Sequence, residues 1–199
     1  MTNAVVKPAT TIEIWDIDPI HSTVQFAVRH MMISNVRGEF KIASGTIRLD
    51  RDNPDNASIV ATIDATSVNT REVDRDKHLR SSDFLDSAHY SEIIFASKRV
   101  AVTEQGRCKI SGDLSIHGLT KEVTLVAEPL SPTIRDPWGN FRRGTSATTQ
   151  INRRDFGLEW NEVLEAGGVL VGDQVSITID VQLVKSKEKP LVVPDDVSI

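Results

Sequence analysis

Apolar and polar residues alternate with a period of two along most of this chain, and that pattern constrains the fold more than any other feature. Val24, Phe26 and Val28 alternate with Thr23, Gln25, Ala27 and Arg29. Ile59, Ala61, Ile63 and Ala65 alternate with Val60, Thr62, Asp64 and Thr66. Near the end, Val175, Ile177, Ile179, Val181 and Leu183 alternate with Ser176, Thr178, Asp180 and Gln182. Successive side chains of a strand point to opposite faces, so each run reads as a strand with one dry face. No strand–helix–strand rhythm runs through the chain, which argues against a parallel α/β sheet.

Turn chemistry separates the runs. Arg51-Asp52-Asn53-Pro54-Asp55-Asn56 is a turn cluster, and Asp136-Pro137-Trp138-Gly139-Asn140 marks a longer loop. Glu104-Gln105-Gly106-Arg107 and His117-Gly118-Leu119-Thr120 read as hairpin tips. The runs between them predict eight main strands, near 22–30, 36–50, 57–67, 92–104, 106–117, 121–129, 143–153 and 173–184, with a short extra strand at 12–16. At about 3.3 Å per residue, a run of about a dozen residues spans about 40 Å, so the strands are long. Gly45 is the expected site of a bulge, which would swap the face of the residues after it. Residues 69–82 read as a helix, with Asn69 as N-cap and Glu72 completing a capping box, and 160–166 as a second short helix. Eight antiparallel strands joined by hairpins suit closure, which leaves no exposed edge. The expected fold is all-β: an extended eight-stranded antiparallel barrel with one or two short flanking helices.

The composition supports a globular chain with an ordinary core. Of its 199 residues, 39% are hydrophobic and 26% charged, so no disulfide or metal staple is required. The single cysteine, Cys108, excludes an internal disulfide and reads as a small hydrophobe in a strand. A net charge of −5 counts against nucleic acid as a partner, because phosphate binding needs a dense basic surface. The longest unbroken apolar run, Ile93-Ile94-Phe95-Ala96, is far too short for a membrane span. Met1 to Ala9 carry no apolar core of signal-peptide length, so a cytoplasmic location is expected. Residues 1–11 read as an N-terminal extension, 12–184 as the barrel and 185–199 as a tail with Pro190 and Pro194.

Common catalytic frames are missing from the sequence. It has no phosphate-binding glycine loop, no Gly-x-Ser-x-Gly, no Cys-x-x-Cys and no His-Glu-x-x-His. The five histidines, His21, His30, His78, His89 and His117, form no His-x-His pair, and no metal site is expected. Asp83 and Asp86 read as cap and loop residues rather than an acid–base pair.

At eight strands a barrel interior is either filled by side chains or holds one small ligand. The long apolar-faced strands favour the ligand. Alternation assigns Val24, Phe26, Val28 and His30 to the lumen, with Phe40, Ile42, Ile59 and Ile63. It adds Ile94, Leu114, Ile116, Val175, Ile177 and Ile179. For the ligand's head group the candidates are Arg71, Arg75, His78 and Arg80, since arginine suits bidentate contact with phosphate or carboxylate. The competing reading is a self-paired helix, with Arg71 to Asp74 and Asp76 to Arg80 at helical spacing. The segment Asn152, Arg153, Asp155, Gly157 reads as a structural strand exit, and Trp160 as a core anchor.

Four separated motifs carry a resemblance. The first is Asp18-Pro-Ile-His21-Ser22-Thr-Val24-Gln-Phe26-Ala-Val28-Arg29-His30 with Val36-Arg37-Gly38-Glu-Phe40; the second is Val68-Asn69-Thr70-Arg71 with Arg75-Asp76-Lys-His78-Leu79-Arg80-Ser-Ser82-Asp83-Phe84. The third is Ile110-Ser-Gly112-Asp-Leu114-Ser-Ile116-His117-Gly118-Leu119-Thr120-Lys121, and the fourth Ile151-Asn152-Arg153-Arg154-Asp155-Phe156-Gly157-Leu158. In this order they resemble the YceI-like family of bacterial lipid-binding proteins, over about residues 12–184. The resemblance implies a lipocalin-like barrel carrying a polyisoprenoid or another long-chain amphiphile, and it is to the branch without a signal peptide.

The leading expectation is a non-enzymatic protein that binds, carries or stores such a lipid, with no cofactor beyond the lipid itself. Two other classes stay open: an enzyme acting on a lipid- or quinone-like substrate in the same lumen, and a structural or stress-related dimer with a filled barrel. A homodimer is expected in any case, because exposed apolar strand faces find cover in symmetric contacts.

Overall fold

The structure, a computed structural model, describes residues 12–163 and 168–187. The expected N-terminal extension and residues 188–199 of the expected tail lie outside them. The described residues form ten strands: β1 (Ile12–Ile17), β2 (Thr23–His30), β3 (Ser34–Asp50), β4 (Ser58–Asn69), β5 (Glu92–Val102), β6 (Cys108–Ile116), β7 (Leu119–Ala127), β8 (Ile134–Arg135), β9 (Phe141–Asn152) and β10 (Val171–Lys185). One α-helix, α1 (Val73–Arg80), lies between β4 and β5. Eight strands pair in the ring β2-β3-β4-β5-β6-β7-β9-β10, and β10 pairs with β2 to close it. Every pairing is antiparallel, so the all-β antiparallel barrel expected from the alternation is the fold.

β1 is the short extra strand. It bridges β3 and β10, with Trp15 opposite both Ile47 and Lys185. Trp15 is 1% exposed and anchors that end of the core together with Leu183, which is fully buried. β8 has no counterpart among the expected strands. It is two residues long and, among the described residues, pairs only with the start of β9.

The seam that closes the barrel is uneven. β9 and β10 pair over eleven positions, from Gln174↔Asn152 to Val184↔Arg142. β7 and β9 pair over two, Val126↔Thr148 and Ala127↔Ala147. Two side chains extend that seam: Thr145 Oγ1 donates to Glu128 O at 2.6 Å and Thr149 Oγ1 to Thr124 O at 2.9 Å.

Local chemistry moved two expected boundaries. Asn69 remains in β4, where its side chain accepts from Arg71 N at 2.9 Å. Glu72 caps α1 instead, accepting from Asp74 N and Arg75 N. The helix is therefore shorter than 69–82, because a strand residue occupies the expected cap. Around the expected second helix, Trp160 to Val163 form no helical turn, and Val163 makes an isolated bridge with Val169. The polar groups there bond outward rather than along a helix: Asn161 Nδ2 donates to Val171 O, and Val171 N donates back to Asn161 Oδ1. Residues 164–167 of that expected helix lie outside the described residues.

Candidate ligand cavity

The inward faces of the ring enclose a cavity of about 250 Å³. Val24, Phe26 and Val28 on β2 line it, as do Val175, Ile177 and Ile179 on β10. These strands lie side by side in the ladder, with Val24 opposite Ile179 and Phe26 opposite Ile177. On β3 the lining runs through Phe40 and Ile42, then changes parity to Ile47. The cause is a shift of the β3–β4 ladder between Ile42 and Ser44, beside Gly45 where the bulge was expected. A Cβ at Gly45 would stand 2.4 Å from Ile17 Cδ1, so the buried Ile17 side chain would have to move to admit one. Ile59 and Ile63 on β4 and Leu114 and Ile116 on β6 complete the part of the lining legible from alternation.

Two expected lumen residues are elsewhere. Ile94 is 38% exposed on the outer face, while its neighbours Ile93 and Phe95 line the cavity at 8% and 5% exposure. The run Ile93-Ile94-Phe95-Ala96 is apolar throughout, so alternation could not choose its parity. His30 is half-buried at the end of β2, opposite Ser34 and Val171, and is outside the lining.

Three polar residues do line the cavity, and sequence reasoning missed all three: Thr145, Thr149 and Arg153. The two hydroxyls are used on the β7–β9 seam, which leaves the threonine methyls for the lumen. Arg153 is 3% exposed. Its Nε donates to Gly172 O at 3.0 Å, Nη1 to the carbonyls of Leu158 and Trp160, and Nη2 pairs with Asp173 at 3.3 Å. Burial pushes the guanidinium's pKa down against the pull of Asp173. The charge is thus consumed by loop carbonyls rather than offered to a ligand. A signal for the threonines did exist: Thr145, Ala147, Thr149 and Ile151 keep the period of two, the first three being small residues in place of large ones.

The head-group candidates gather around α1 but serve other contacts. Arg75 donates from Nε to Thr70 Oγ1 at 2.8 Å and from Nη2 to Thr70 O at 3.0 Å. Arg80 donates to Thr66 O and Val68 O, both at 2.8 Å. Arg80 fastens the helix to β4, and Arg75 fastens it to Thr70, the residue that follows that strand. His78 meets Asp83 at 2.9 Å and sets its ring edge-on to Phe84 and Trp160. Arg71 is exposed, at φ 66°, on a groove outside the barrel. The self-paired reading of the helix fails too, because Asp76 is buried and accepts from Thr70 N at 2.8 Å. From the same region Leu79, Phe84 and Leu85 turn inward and line the cavity, closing that end.

The opposite end is held by charge. Arg142 donates from Nη1 to Asp18 at 2.6 Å and from Nε to Asp136 at 2.7 Å. Burial would raise Asp18, but Arg142, His21 and the Ile20 N–H outweigh it and hold the carboxyl down at about 2. Arg142 and Asn140 hold Asp136 well below the usual carboxylate range. Among the described residues no three His, Cys, Asp or Glu side chains are grouped to hold a metal ion. Burial and the nearby Asp55 push the Cys108 thiol up, away from thiolate reactivity.

The pattern of the YceI-like domain matches residues 15–183. The chain belongs to the YceI-like family. A UPF0312 protein of Vibrio parahaemolyticus is 36% identical over 143 residues, which is 72% of this chain and 75% of that protein. BcnA of Burkholderia cenocepacia shares the fold with a TM-score of 0.71 at 20% identity, over 83% of this chain and 98% of its own. A polyisoprenoid binding domain from Saccharophagus degradans superposes with a TM-score of 0.62 at 17% identity, over 86% and 98%.

The motifs that carried the YceI-like resemblance now have physical roles. The first supplies the Asp18 clamp and the lumen face of β2. Gly38 in its second half lies opposite Phe26, and a Cβ there would stand 2.5 Å from the Phe26 ring. The second motif builds α1 and its ties to β4, and the third the β6–β7 hairpin, with His117 and Gly118 at φ 51° and 75°. The fourth is the strand exit expected of it: Asn152 accepts from Arg154 N, and Gly157 ends the turn at φ 72°. No helix of the described residues is long and apolar enough to cross a membrane.

Proposed function

We propose that this YceI-like protein binds one long-chain amphiphile, of the polyisoprenoid or fatty-acid class, with its hydrocarbon in the barrel, and carries or stores it unchanged. The observation that carries this reading is the lumen itself. It extends from Leu79, Phe84 and Leu158 at one end to Ile17, Ile47 and Ala127 at the other, and its polar side chains are already bonded. An empty apolar cavity of about 250 Å³ would cost about 6 kcal/mol at ~24 cal/mol per Å³. That approaches the whole stability of an ordinary domain, about 5–15 kcal/mol. A hydrocarbon guest removes the cost and adds about 0.8 kcal/mol per CH₂ taken out of water. The shared architecture with a protein named for polyisoprenoid binding supports the same ligand class.

Among the described residues the lining carries no carboxylate, imidazole or thiol, which favours binding over chemistry. Homodimerisation in the cytoplasm belongs to the same proposal. Val60 and Ile94 stand 51% and 38% exposed on the neighbouring strands β4 and β5 and offer an apolar outer patch to a second copy.

Native mass spectrometry followed by organic extraction tests the reading. A long-chain lipid recovered at one per barrel is the expected result. A protein that is empty and also takes up neither polyprenyl nor fatty ligands would replace it with a filled-barrel role, and a chemically altered lipid after incubation would favour an enzyme.

A further inference from the structure

The β2–β3 hairpin ends in three consecutive large apolar residues, Met31, Met32 and Ile33, which are 40%, 54% and 77% exposed. The turn is tight: His30 and Ser34 face each other in the ladder, and Ile33 N donates to His30 O at 3.1 Å. Met31 and Met32 sit at φ 50° and 63°, the conformation that Asn-Gly adopts most readily in such turns. Two flexible thioethers therefore stand where turn chemistry alone favours other residues. Arg29 braces the tip, donating from Nη2 to Met32 O at 3.0 Å.

The hairpin's own strands carry charge of one sign near the tip, while the adjoining start of β10 brings Asp173, which is already paired with Arg153 and Arg154. No acidic residue lies between Asp18 and Glu39, while Arg29 and Arg37 flank the turn. Arg37 and Arg71 line a groove on the outer face of β2, β3 and β10, where Glu39 is the one carboxylate. The pairing of Glu39 with Asn69 brings Arg71 beside the base of the hairpin. Neither guanidinium has a hydrogen bond or ion pair within the described residues. The exposed Val73 differs, since Glu72 and Asp74 flank it, and so does Val163, which follows Glu162.

We propose that this hairpin docks the protein on an anionic phospholipid bilayer. Met31, Met32 and Ile33 enter the boundary between head groups and acyl chains, and Arg37 and Arg71 meet lipid phosphates. Apolar side chains gain by leaving water at that depth, and nearby basic residues gain from the negative surface potential. The chain as a whole carries −5, so an anionic surface repels most approaches and favours the acid-free tip. Docking of this kind does not require the lumen to hold a lipid, so it stands or falls apart from the carrier reading.

Flotation of the full-length protein with phosphatidylcholine vesicles, with and without phosphatidylglycerol, tests it. The protein is expected to float with the anionic vesicles and to lose about tenfold in binding at high salt. Met31→Asn with Met32→Gly suits the turn, so the double variant is expected to keep or raise Tm while binding falls about tenfold. Arg37→Gln with Arg71→Gln is expected to flatten the salt dependence. Trp138→Ala, at a residue 81% exposed in the β8–β9 loop, is expected to leave flotation unchanged. The proposal is overturned if the wild-type protein ignores anionic vesicles, or if the turn variant floats as well as wild type. It is equally overturned if the turn variant instead abolishes a dimer seen by sedimentation without vesicles, since the tip would then serve a second copy.

Discussion

Arg153 Nε donates to Gly172 O at 3.0 Å and so ties the turn that follows β9 to the beginning of β10. The same guanidinium holds the carbonyls of Leu158 and Trp160, and together these bonds shape the loop at that end of the lumen. Arg153→Met keeps most of the stem but strands three carbonyls. Removing the donor of a buried network of this kind is expected to cost about 3 kcal/mol. Urea unfolding checks this, and a loss under about 1 kcal/mol would show that the carbonyls find other donors.

Ile93 and Ile94 differ in face, and the difference makes a paired test. A cation placed at 93 enters an apolar lumen, where an unpaired charge is costly. The same cation at 94 meets solvent. Ile93→Arg is expected to abolish retention of lipid, as is Phe26→Arg, whereas Ile94→Arg is expected to retain it. Lipid extracted per mole of folded protein is the readout. Equal retention by the Ile93 and Ile94 variants would place the ligand outside the barrel.

These two cases also mark how far the sequence could be read. Strands β2 and β10 alternate cleanly, and their lumen residues follow from the period alone. Ile94 was assigned to the wrong face because four apolar residues in a row carry no parity. Thr145, Thr149 and Arg153 were passed over because a polar side chain reads as solvent-facing until its partner, a carbonyl distant in sequence, is known. Arg75 and Arg80 illustrate the converse. Their spacing fits an anion site, but the carbonyls of β4 and of Thr70 just after it lie within reach once α1 packs there.

The Asp18–Arg142–Asp136 clamp predicts a particular acid limb. Both carboxyls titrate below their ordinary range in the folded state, Asp18 at about 2 and Asp136 lower still. A depressed folded pKa gives stability that is complete above the unfolded value, about 4, and is lost as pH falls through the folded value. Tm of the wild-type protein is therefore expected to drop between about pH 4 and pH 2. Arg142→Gln is expected to be less stable at neutral pH and to lose less over that interval, because the carboxyls no longer gain from the guanidinium. Parallel thermal melts of the two proteins across pH give the difference curve. Curves that stay a constant distance apart would mean that the clamp is not what depresses the two carboxyls.

The β7–β9 seam is where the barrel has the fewest backbone bonds to lose. Two register pairs and the Glu128 N bond to Ser146 O hold it, and Thr145 and Thr149 extend it by side-chain bonds to Glu128 O and Thr124 O. Valine has nearly the shape of threonine and keeps the lumen lining, so Thr145→Val with Thr149→Val removes the bonds alone. Each lost bond is expected to cost about 1 kcal/mol. Local opening follows the regions with fewest bonds and contacts. The same double variant is therefore expected to speed amide exchange along the β7–β9 edge and the exchange of a bound lipid for a labelled one, while amides of the fully paired β9–β10 ladder keep their rates. Faster lipid exchange without faster β7–β9 amide exchange would place the ligand's route at an end of the barrel. No change in either rate would mean that the backbone bonds alone suffice to keep the seam shut.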